Sequence, residues 1–326
     1  MKLIYQIPCF NEEHFLPETI KSLPTKIDGI DKIEMLIIND GSTDNTLKIA
    51  KQLNVEHILD LPKHQGLAKA FILGLKYAVE LGADIIVNTD ADNQYFAGDT
   101  PRLIEPILKD NADMVIGVRD IKNIKHFSFV KKKLQKLGSW VVRKISNTDI
   151  KDVTSGFRAF SRKAAYKINV FSDYTYTLET IIQAEKANLK ISQVPIRINE
   201  KSRDSKLYKS IFEYVFKSII TMIYIYILYN PIKFFFLSGS ILFSAGLVLF
   251  LRFIYYFLKF FPEQSGHTQS LIVSIIFFTI ASLFFVLGLF ASLTSVNRRL
   301  MENYSYNILE IKDKIKQLEH ESKKEE

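Results

Sequence analysis

Short apolar runs alternate with amphipathic stretches through the first 200 residues of the chain. The apolar runs have the length of buried strands, whereas the stretches between them show helical spacing. The predicted strands are 2–8, 33–39, 55–61, 83–89 and 112–118. The predicted helices include 43–53, 66–81 and 100–109. Because strands and helices alternate, this part of the chain is expected to form an α/β domain with a mostly parallel sheet.

Two long apolar runs dominate the last third of the chain. The second run, 270–297, has no charged residue over 28 positions, more than the roughly 20 that a helix needs to cross a bilayer. The first run, 234–251, has 18 uncharged residues and continues past Arg252, whose head group can reach the membrane interface. We therefore predict two transmembrane helices within residues 233–297, at about 234–258 and 270–296.

The segments that flank these runs are amphipathic or charged. Residues 207–232 are uncharged only from 218 onward, which is short for a span, and their tyrosines suit the head-group level. We predict juxtamembrane amphipathic helices there, with a third, shallow span as the alternative. The charged tail, 298–326, has apolar residues spaced by 3, 4 and 3, as in a short coiled coil: Ile308, Ile311, Ile315 and Leu318. This spacing indicates either a homo-oligomer joined through a helical tail or a solvated helix.

Charge and cysteine content predict how the chain is oriented. The first fourteen residues contain no apolar export signal, so the N-terminus is expected in the cytoplasm. Two spans return the C-terminus to the same side, and Arg298 and Arg299 after the second run agree with the positive-inside rule. The single cysteine, Cys9, fits a reducing compartment. We expect an integral protein of the cytoplasmic membrane with both termini cytoplasmic.

The segment between Asp120 and Asp149 contains eight Lys and Arg residues and no acidic residue. Its positive charge equals the formal net charge of the whole chain, +8. Apolar residues interleave with these charges at helical spacing, which predicts a basic amphipathic helix. Such a helix binds nucleic acid or anionic lipid, and the two apolar runs favour lipid. A core helix with a solvated basic face is the alternative. We therefore predict a membrane partner and no nucleic acid.

Polar motifs follow three of the predicted strands. IPCFNEE at 7–13 follows the first, NDGSTDNT at 39–46 follows the second, and VNTDADNQY at 87–95 contains the end of the fourth. In open sheets of this kind, ligands bind beyond the carboxyl ends of the strands. Residues 42–44 are suited to capping the next helix, which leaves Asp40 to accept hydrogen bonds from a base or a ribose.

Two carboxylates at the end of the fourth strand indicate a cation site. Asp90 and Asp92 are spaced i, i+2, so they point the same way, and their repulsion would raise a pKa unless a cation lies near them. Mg²⁺ typically takes one or two protein carboxylates together with phosphate oxygens. Gln94 could add a neutral oxygen. The pattern therefore favours a divalent ion that bridges the protein to a diphosphate.

These motifs, together with IGVR at 116–119, DVTSGFRAF at 152–160 and VPIR at 194–197, resemble glycosyltransferase family 2 in its polyprenyl-phosphate branch. The resemblance covers about residues 3–206 and implies a Rossmann-like GT-A fold for a domain at 1–206. It also implies inverting transfer of a sugar from a nucleotide diphosphate sugar to undecaprenyl or dolichyl phosphate at the cytoplasmic membrane face. The product would be a sugar linked through phosphate to the lipid.

The resemblance also assigns roles to individual residues. The nucleoside would be held by Pro8, Phe10, Glu12 and Asp40. Asp90 would contact the nucleotide sugar, and Asp92 with Gln94 would coordinate Mg²⁺ or Mn²⁺. The family more often has glycine where this chain has Asn93, and Tyr95 is expected to alter the sugar pocket. His64, a lone histidine on a predicted loop, is assigned no function.

The acceptor phosphate needs cationic partners, and guanidinium groups suit phosphate geometry. The candidates are Arg119, Arg158, Arg203 and Lys206. Asp152 is expected to orient the acceptor or these arginines, with a structural cap as the alternative. The predicted catalytic residues are thus Asp90, Asp92, Asp152 and Arg158. Glu179 lies on a helix that family members place near the sugar.

Two other functions are weighed against this one. A processive polysaccharide synthase of the same family would carry a Q-x-x-R-W motif, and this chain has none. A membrane-anchored protein that binds a nucleotide sugar without transferring it would be expected to lose the metal carboxylate or the phosphate-binding arginines, which are present here. The donor stays open among UDP-glucose, UDP-N-acetylglucosamine and GDP-mannose.

Overall fold

The computed structural model describes residues 1–120, 149–170, 176–199, 216, 220, 223–224, 226–260 and 268–325. The predicted basic helix, the loop between the two apolar runs, and most of the predicted juxtamembrane segment lie outside the described residues, as do Arg203 and Lys206. The chain forms two compact units, one of residues 1–221 with 302–326 and one of residues 222–301.

The first unit is built on a seven-stranded sheet with the order β3-β2-β1-β4-β6-β5-β7. Its strands are β1 (Lys2–Cys9), β2 (Lys32–Asn39), β3 (His57–Asp60), β4 (Ile85–Asn88), β5 (Met114–Arg119), β6 (Arg158–Ser161) and β7 (Ile191–Ile196). Only β6 is antiparallel to its neighbours, β4 and β5. The other pairs are parallel, so the mostly parallel sheet is confirmed, and the carboxyl ends of β1, β2 and β4 share one edge.

Six helices of the described residues connect these strands: α1 (Leu16–Ser22), α2 (Thr46–Gln52), α3 (Leu67–Glu80), α4 (Thr100–Leu108), α5 (Arg162–Lys167) and α6 (Tyr176–Lys186). Both faces of the sheet are covered, which explains why every residue of β1 after Lys2 is buried. On one face α3 approaches so closely that a Cβ on Gly74 would lie 2.7 Å from Ile38 Cδ1. On the same face Gln6 of β1 donates a hydrogen bond to the carbonyl of Phe71 in α3.

The five predicted strands are all present, with ends that differ from the prediction by at most two residues. The sequence pattern does not predict β6, which has four residues and begins with an arginine, and β7 enters the prediction only through the VPIR motif. Both complete the sheet next to β5. Pro8 does not end the first strand as predicted, because β1 continues through Cys9 and pairs Pro8 with Ile38.

The second unit contains two apolar helices, α7 (Pro231–Phe260) and the first part of α8 (Thr268–Glu325). Residues 231–260 and 268–298 are long and apolar enough to cross a membrane. Glycines bring the two helices together, since a Cβ on Gly246 of α7 would lie 3.0 Å from Phe277 Cβ of α8. A Cβ on Gly288 of α8 would likewise lie 3.0 Å from Phe235 Cβ of α7.

The predicted tail continues α8 as one helix to Glu325. Three apolar side chains of the predicted seam, Ile308, Ile311 and Ile315, are 65%, 57% and 51% exposed. The homo-oligomer that their spacing indicates stays a prediction.

Candidate active site

The loops that follow β1 and β2 are joined by hydrogen bonds between their side chains and backbones. The backbone N–H of Asn11 donates to Ser42 Oγ (3.0 Å), and the side-chain oxygen of Asn11 accepts from the N–H of Thr43 (2.8 Å). Asn11 has a φ of 56°, a left-handed conformation that asparagine tolerates. The Glu13 carboxylate accepts from the N–H of Asn45 (2.9 Å) and its pKa is lowered by these bonds. The two loops therefore form one rigid wall at the edge of the sheet.

Asp40 and Phe10, two residues predicted to hold the nucleoside, meet through His64. The buried Asp40 carboxylate accepts from the backbone N–H groups of Gln65 (2.7 Å) and Gly66 (2.9 Å), and His64 Nδ1 lies 2.9 Å from Asp40 Oδ2. The His64 ring stacks on Phe10 with centroids 3.9 Å apart. Asp40 thus fixes the loop that precedes α3, which is a structural task beyond the predicted contact with a base or ribose.

Pro8 and Glu12 lie on the same wall. Pro8 is buried within β1, and Glu12 is 8% exposed, with its backbone N–H donating to Thr46 Oγ1 (2.8 Å) at the first residue of α2. Both residues therefore border the carboxyl edge of β1 and β2, where the prediction placed the nucleoside.

Asp90 follows β4 and packs against the loop that precedes β6. A Cβ on Gly156 would lie 3.0 Å from Asp90 Oδ1, and the N–H of Gly156 donates to the hydroxyl of Tyr95 (2.8 Å). Burial and then the negative charge of Asp92 raise the pKa of Asp90 to about 7, against the opposing effect of Arg119. A cation bound near Asp90 would favour the ionised carboxylate and lower this pKa.

The turn after Asp90 carries both predicted metal ligands. Asn93 has a φ of 53°, a left-handed conformation that glycine adopts without strain, which explains why the family more often has glycine at this position. The N–H of Gln94 donates to Asp92 Oδ1 (3.1 Å), so Asp92 and Gln94 share one tight turn.

Asp90 and Asp92 fit a divalent cation held jointly with a diphosphate. Within the described residues no group of three or more His, Cys, Asp or Glu side chains could hold a metal ion by itself. Two like charges in a partly buried turn, one with its pKa raised, need positive charge to ionise together. Mg²⁺ and Mn²⁺ prefer oxygen ligands, and Mg²⁺ typically completes its shell with phosphate and water.

Arg119 at the end of β5 is held by Asp152. Its Nε and Nη2 donate to the two Asp152 carboxylate oxygens at 2.7 and 3.0 Å, and both side chains are buried. Burial opposes ionisation of Asp152, but the charge and hydrogen bonds of Arg119 lower its pKa. Asp152 also accepts from the N–H and hydroxyl of Thr154. Asp152 therefore holds Arg119 through both carboxylate oxygens and also caps a turn at Thr154. Its role toward the acceptor stays a prediction.

Arg158, predicted to bind the acceptor phosphate, is buried beneath the loop that precedes β6. It is fully buried in β6, and its guanidinium donates to the carbonyls of Ser155, Val153 and Thr177, each at 2.8 Å. Burial lowers its pKa to about 10. Arg158 therefore does not face the crevice as a phosphate ligand; it holds the loop 153–155 against α6.

Asn88 and Tyr176, to which the sequence assigned no role, bond to each other, and Asn88 also bonds to the loop that packs against Asp90. Asn88 at the end of β4 donates to the carbonyl of Gly156 (2.8 Å) and to the hydroxyl of Tyr176 (2.9 Å). Tyr176 stacks on Phe71 of α3 at 3.9 Å. Glu179, predicted to lie near the sugar, is fully buried on α6 and accepts from Gln183 (3.3 Å).

Residues 6–168, half of the chain, match the model of Glycosyl transferase family 2. The chain therefore belongs to glycosyltransferase family 2 and is a glycosyltransferase.

Individual relatives are similar over the same region. The chain is 36% identical over 222 residues to the UDP-N-acetylglucosamine--dolichyl-phosphate N-acetylglucosaminyltransferase of Methanococcus voltae, which covers 60% of this chain and 85% of that protein. It is 28% identical over 211 residues to the undecaprenyl-phosphate mannosyltransferase of Micrococcus luteus, with 62% and 85% covered. It is 30% identical over 226 residues to the dolichol-phosphate mannosyltransferase of Pyrococcus furiosus, with 66% and 62% covered.

A solved structure confirms the GT-A fold. The glucosyl-3-phosphoglycerate synthase of Mycobacterium tuberculosis, in complex with Mn²⁺, UDP and glucosyl-3-phosphoglycerate, superposes with a TM-score of 0.51. The match covers 68% of this chain and 79% of that protein at 18% identity, so it bears on the fold alone.

Proposed function

We propose that this protein transfers a sugar from a nucleotide diphosphate sugar to a polyprenyl phosphate, with inversion at the anomeric carbon. The observation that carries the proposal is the Asp90 and Asp92 pair beside the Arg119 and Asp152 ion pair, in a chain with two apolar helices. The relatives from Methanococcus and Micrococcus act on lipid phosphates, although their sugars differ. A shared acceptor with varied donors favours the lipid phosphate as the acceptor here.

The reaction needs little proton chemistry from the protein. An oxygen of the lipid phosphate, mostly dianionic near neutral pH, attacks the anomeric carbon from the face opposite the diphosphate. The bond from that carbon to the diphosphate breaks, and the nucleoside diphosphate leaves with its electron pair. Asp92 and Gln94 would hold Mg²⁺ or Mn²⁺, which when bound neutralises charge on the leaving diphosphate.

The remaining residues bind and orient the two substrates. Phe10 and Asp40, which meet through His64, would border the nucleoside, and Asp90 would contact the sugar. Arg119, held by Asp152, would bind a phosphate. The sequence predicts that Arg203 and Lys206 add cations for the acceptor phosphate. We further propose that residues 231–260 and 268–298 anchor the enzyme with its catalytic unit on the cytoplasmic side.

Transfer of a radiolabelled sugar into the organic phase of a membrane extract tests this function. Supplied with UDP- and GDP-sugars, polyprenyl phosphate and Mn²⁺, the wild-type chain should form labelled lipid, and chelation should stop it. Asp92→Ala should abolish transfer without changing membrane insertion, whereas Asp28→Ala, on an exposed loop, should transfer normally. Donor binding without labelled lipid from any donor would favour the binding protein instead.

The predicted acceptor cation has a separate test. Arg203→Ala should raise the KM for polyprenyl phosphate and leave the KM for the donor nearly unchanged, because it removes a phosphate partner of the acceptor alone. An equal rise in both constants would contradict that assignment.

A further inference from the structure

The turn that carries Asp92 and Gln94 is bonded to the segment that follows β7. The N–H of Phe96 donates to the carbonyl of Arg197 (3.2 Å), and the N–H of Asn199 donates to the carbonyl of Gln94 (2.9 Å). Tyr95 and Ile198 form an antiparallel bridge between these two bonds. The backbone of residues 197–199 therefore runs as a short strand along residues 94–96.

The Asn199 side chain adds contacts that the backbone alone does not make. Its Nδ2 group donates to the carbonyl of Asn93 (2.8 Å) and lies 3.2 Å from both Asn93 Oδ1 and the carbonyl of Tyr95. Two N–H bonds are thus shared among three acceptors of the turn. Together with its backbone N–H, Asn199 contacts residues 93, 94 and 95 in succession.

The turn of residues 92–94 contains a strained residue, so hydrogen bonds from Asn199 affect its conformation. Asn93 holds a left-handed φ of 53°, a conformation that costs free energy in a residue other than glycine. The N–H of its neighbour Gln94 donates to Asp92 Oδ1, so Asn93 lies inside the turn that this hydrogen bond closes. Asn199 bonds to this strained residue and to the two residues that follow it.

The segment 197–199 is itself anchored. Arg197 donates from its backbone N–H to Asp99 Oδ2 (2.7 Å) and from its guanidinium to both Asp99 oxygens, and its guanidinium lies 4.0 Å from the ring centroid of Phe96. The hydrogen bonds of Asn199 therefore hold the turn against an anchored segment. Partners of metal ligands orient those ligands in the same way in other sites.

We propose that Asn199 is a positioning residue that sets the metal affinity of the Asp92 turn. The inference rests on the proposed function, because it assigns the divalent ion to Asp92. Asn199 would act through the carbonyls of residues 93 and 95, to which its side chain donates. The segment also leads, four residues later in the sequence, to Arg203, so it links the donor turn to the predicted acceptor cation.

The substitution Asn199→Asp separates positioning from general stability. It keeps the shape of the side chain but replaces the two donors with an acceptor that faces carbonyl oxygens. Asn54→Asp makes the same change in charge on an exposed residue, two positions beyond the last residue of α2. Both variants are made in the full chain, and their thermal unfolding is measured first.

Calorimetric titration of Mn²⁺, with UDP or GDP at saturation, then measures the metal affinity. Changing a partner of a metal ligand typically weakens affinity about 10–100-fold, so Asn199→Asp should raise the half-saturating Mn²⁺ by at least about 10-fold. Asn54→Asp should match the wild type. Asn199→Gln, which keeps the donors on a longer stem, should fall between them and serves as the comparison should Asn199→Asp unfold.

The outcomes distinguish three cases. A purely structural Asn199 would lower the bound stoichiometry and leave the half-saturating Mn²⁺ unchanged, which would overturn the inference. A shift in half-saturating Mn²⁺ at full stoichiometry supports it. A wild-type chain that binds neither nucleotide in a Mn²⁺-dependent way would overturn the proposed function instead.

Discussion

Arg119 and Arg158 are both buried and both follow a glycine by two residues, but their electrostatic environments differ. Arg119 faces the Asp152 carboxylate, which helps to raise its pKa despite burial, whereas Arg158 bonds mainly to carbonyl oxygens and burial lowers its pKa. A guanidinium paired with a carboxylate is held in one orientation, as Arg119 is by Asp152. A guanidinium that is fully bonded to loop carbonyls instead fixes the loop.

Replacement of Asp152 by asparagine tests the Arg119 ion pair. Asp152→Asn leaves the buried Arg119 charge without its counter-charge, which in buried pairs costs about 3–5 kcal/mol. We expect a lower melting temperature and a large loss of sugar transfer. Thermal unfolding and the radiolabel assay measure both. Asp149→Asn, an exposed neighbour, should change neither; retention of both properties in Asp152→Asn would contradict the role of Asp152.

The raised pKa of Asp90 predicts a pH-dependent stability in the absence of divalent ions. Its pKa rises from 3.8 to about 7 on folding, so the folded chain binds the extra proton between these values and loses stability as pH rises through that window. Asp90→Asn removes this loss. In chelator, the variant should match the wild type near pH 4 and melt at a higher temperature near pH 8. A difference that does not vary with pH would show that Asp90 does not titrate in this way.

The central elements of the sheet are those that an apolar pattern predicts. β1, β2 and β4 are short apolar runs buried on both faces, and α3 has a broad apolar stripe, so local pattern and tertiary burial agree. β6 fails this test because Arg158 opens it and its hydrogen bonds come from distant strands. The roles of His64 and Tyr95 depend on residues 24 to 61 positions away, and sequence spacing carries no trace of such contacts.

Close packing of α7 on α8 depends on glycine. Gly246→Val would place Cβ 3.0 Å from Phe277 Cβ, an atom fixed to the backbone, so the helices must separate. Overpacking of this kind costs about 1–3 kcal/mol. We expect a lower melting temperature in detergent than for Ser244→Val, which adds a branched side chain to an exposed position of the same helix. Equal melting temperatures would show that the close approach is not required.

The whole chain combines a basic, polar catalytic unit with two helices that could cross a membrane. Each is at least 30 residues long, which at 1.5 Å per residue is about 45 Å and exceeds the hydrocarbon core. Two crossings return the chain to its starting side, and the arginines after the second favour the cytoplasm. Residues 261–267 would then lie on the opposite side from Asn54.

Cysteine labelling tests this topology because Cys9, the only cysteine, is 2% exposed and gives little background. A membrane-impermeant maleimide should label Ser265→Cys in intact cells. Asn54→Cys and Lys323→Cys should react only after the membrane is permeabilised, since both termini are expected inside. Labelling of Asn54→Cys in intact cells would place the crevice on the wrong side for nucleotide sugars, which are supplied from the cytoplasm. The reaction proposed here would then lack its donor, whatever the affinity of the site.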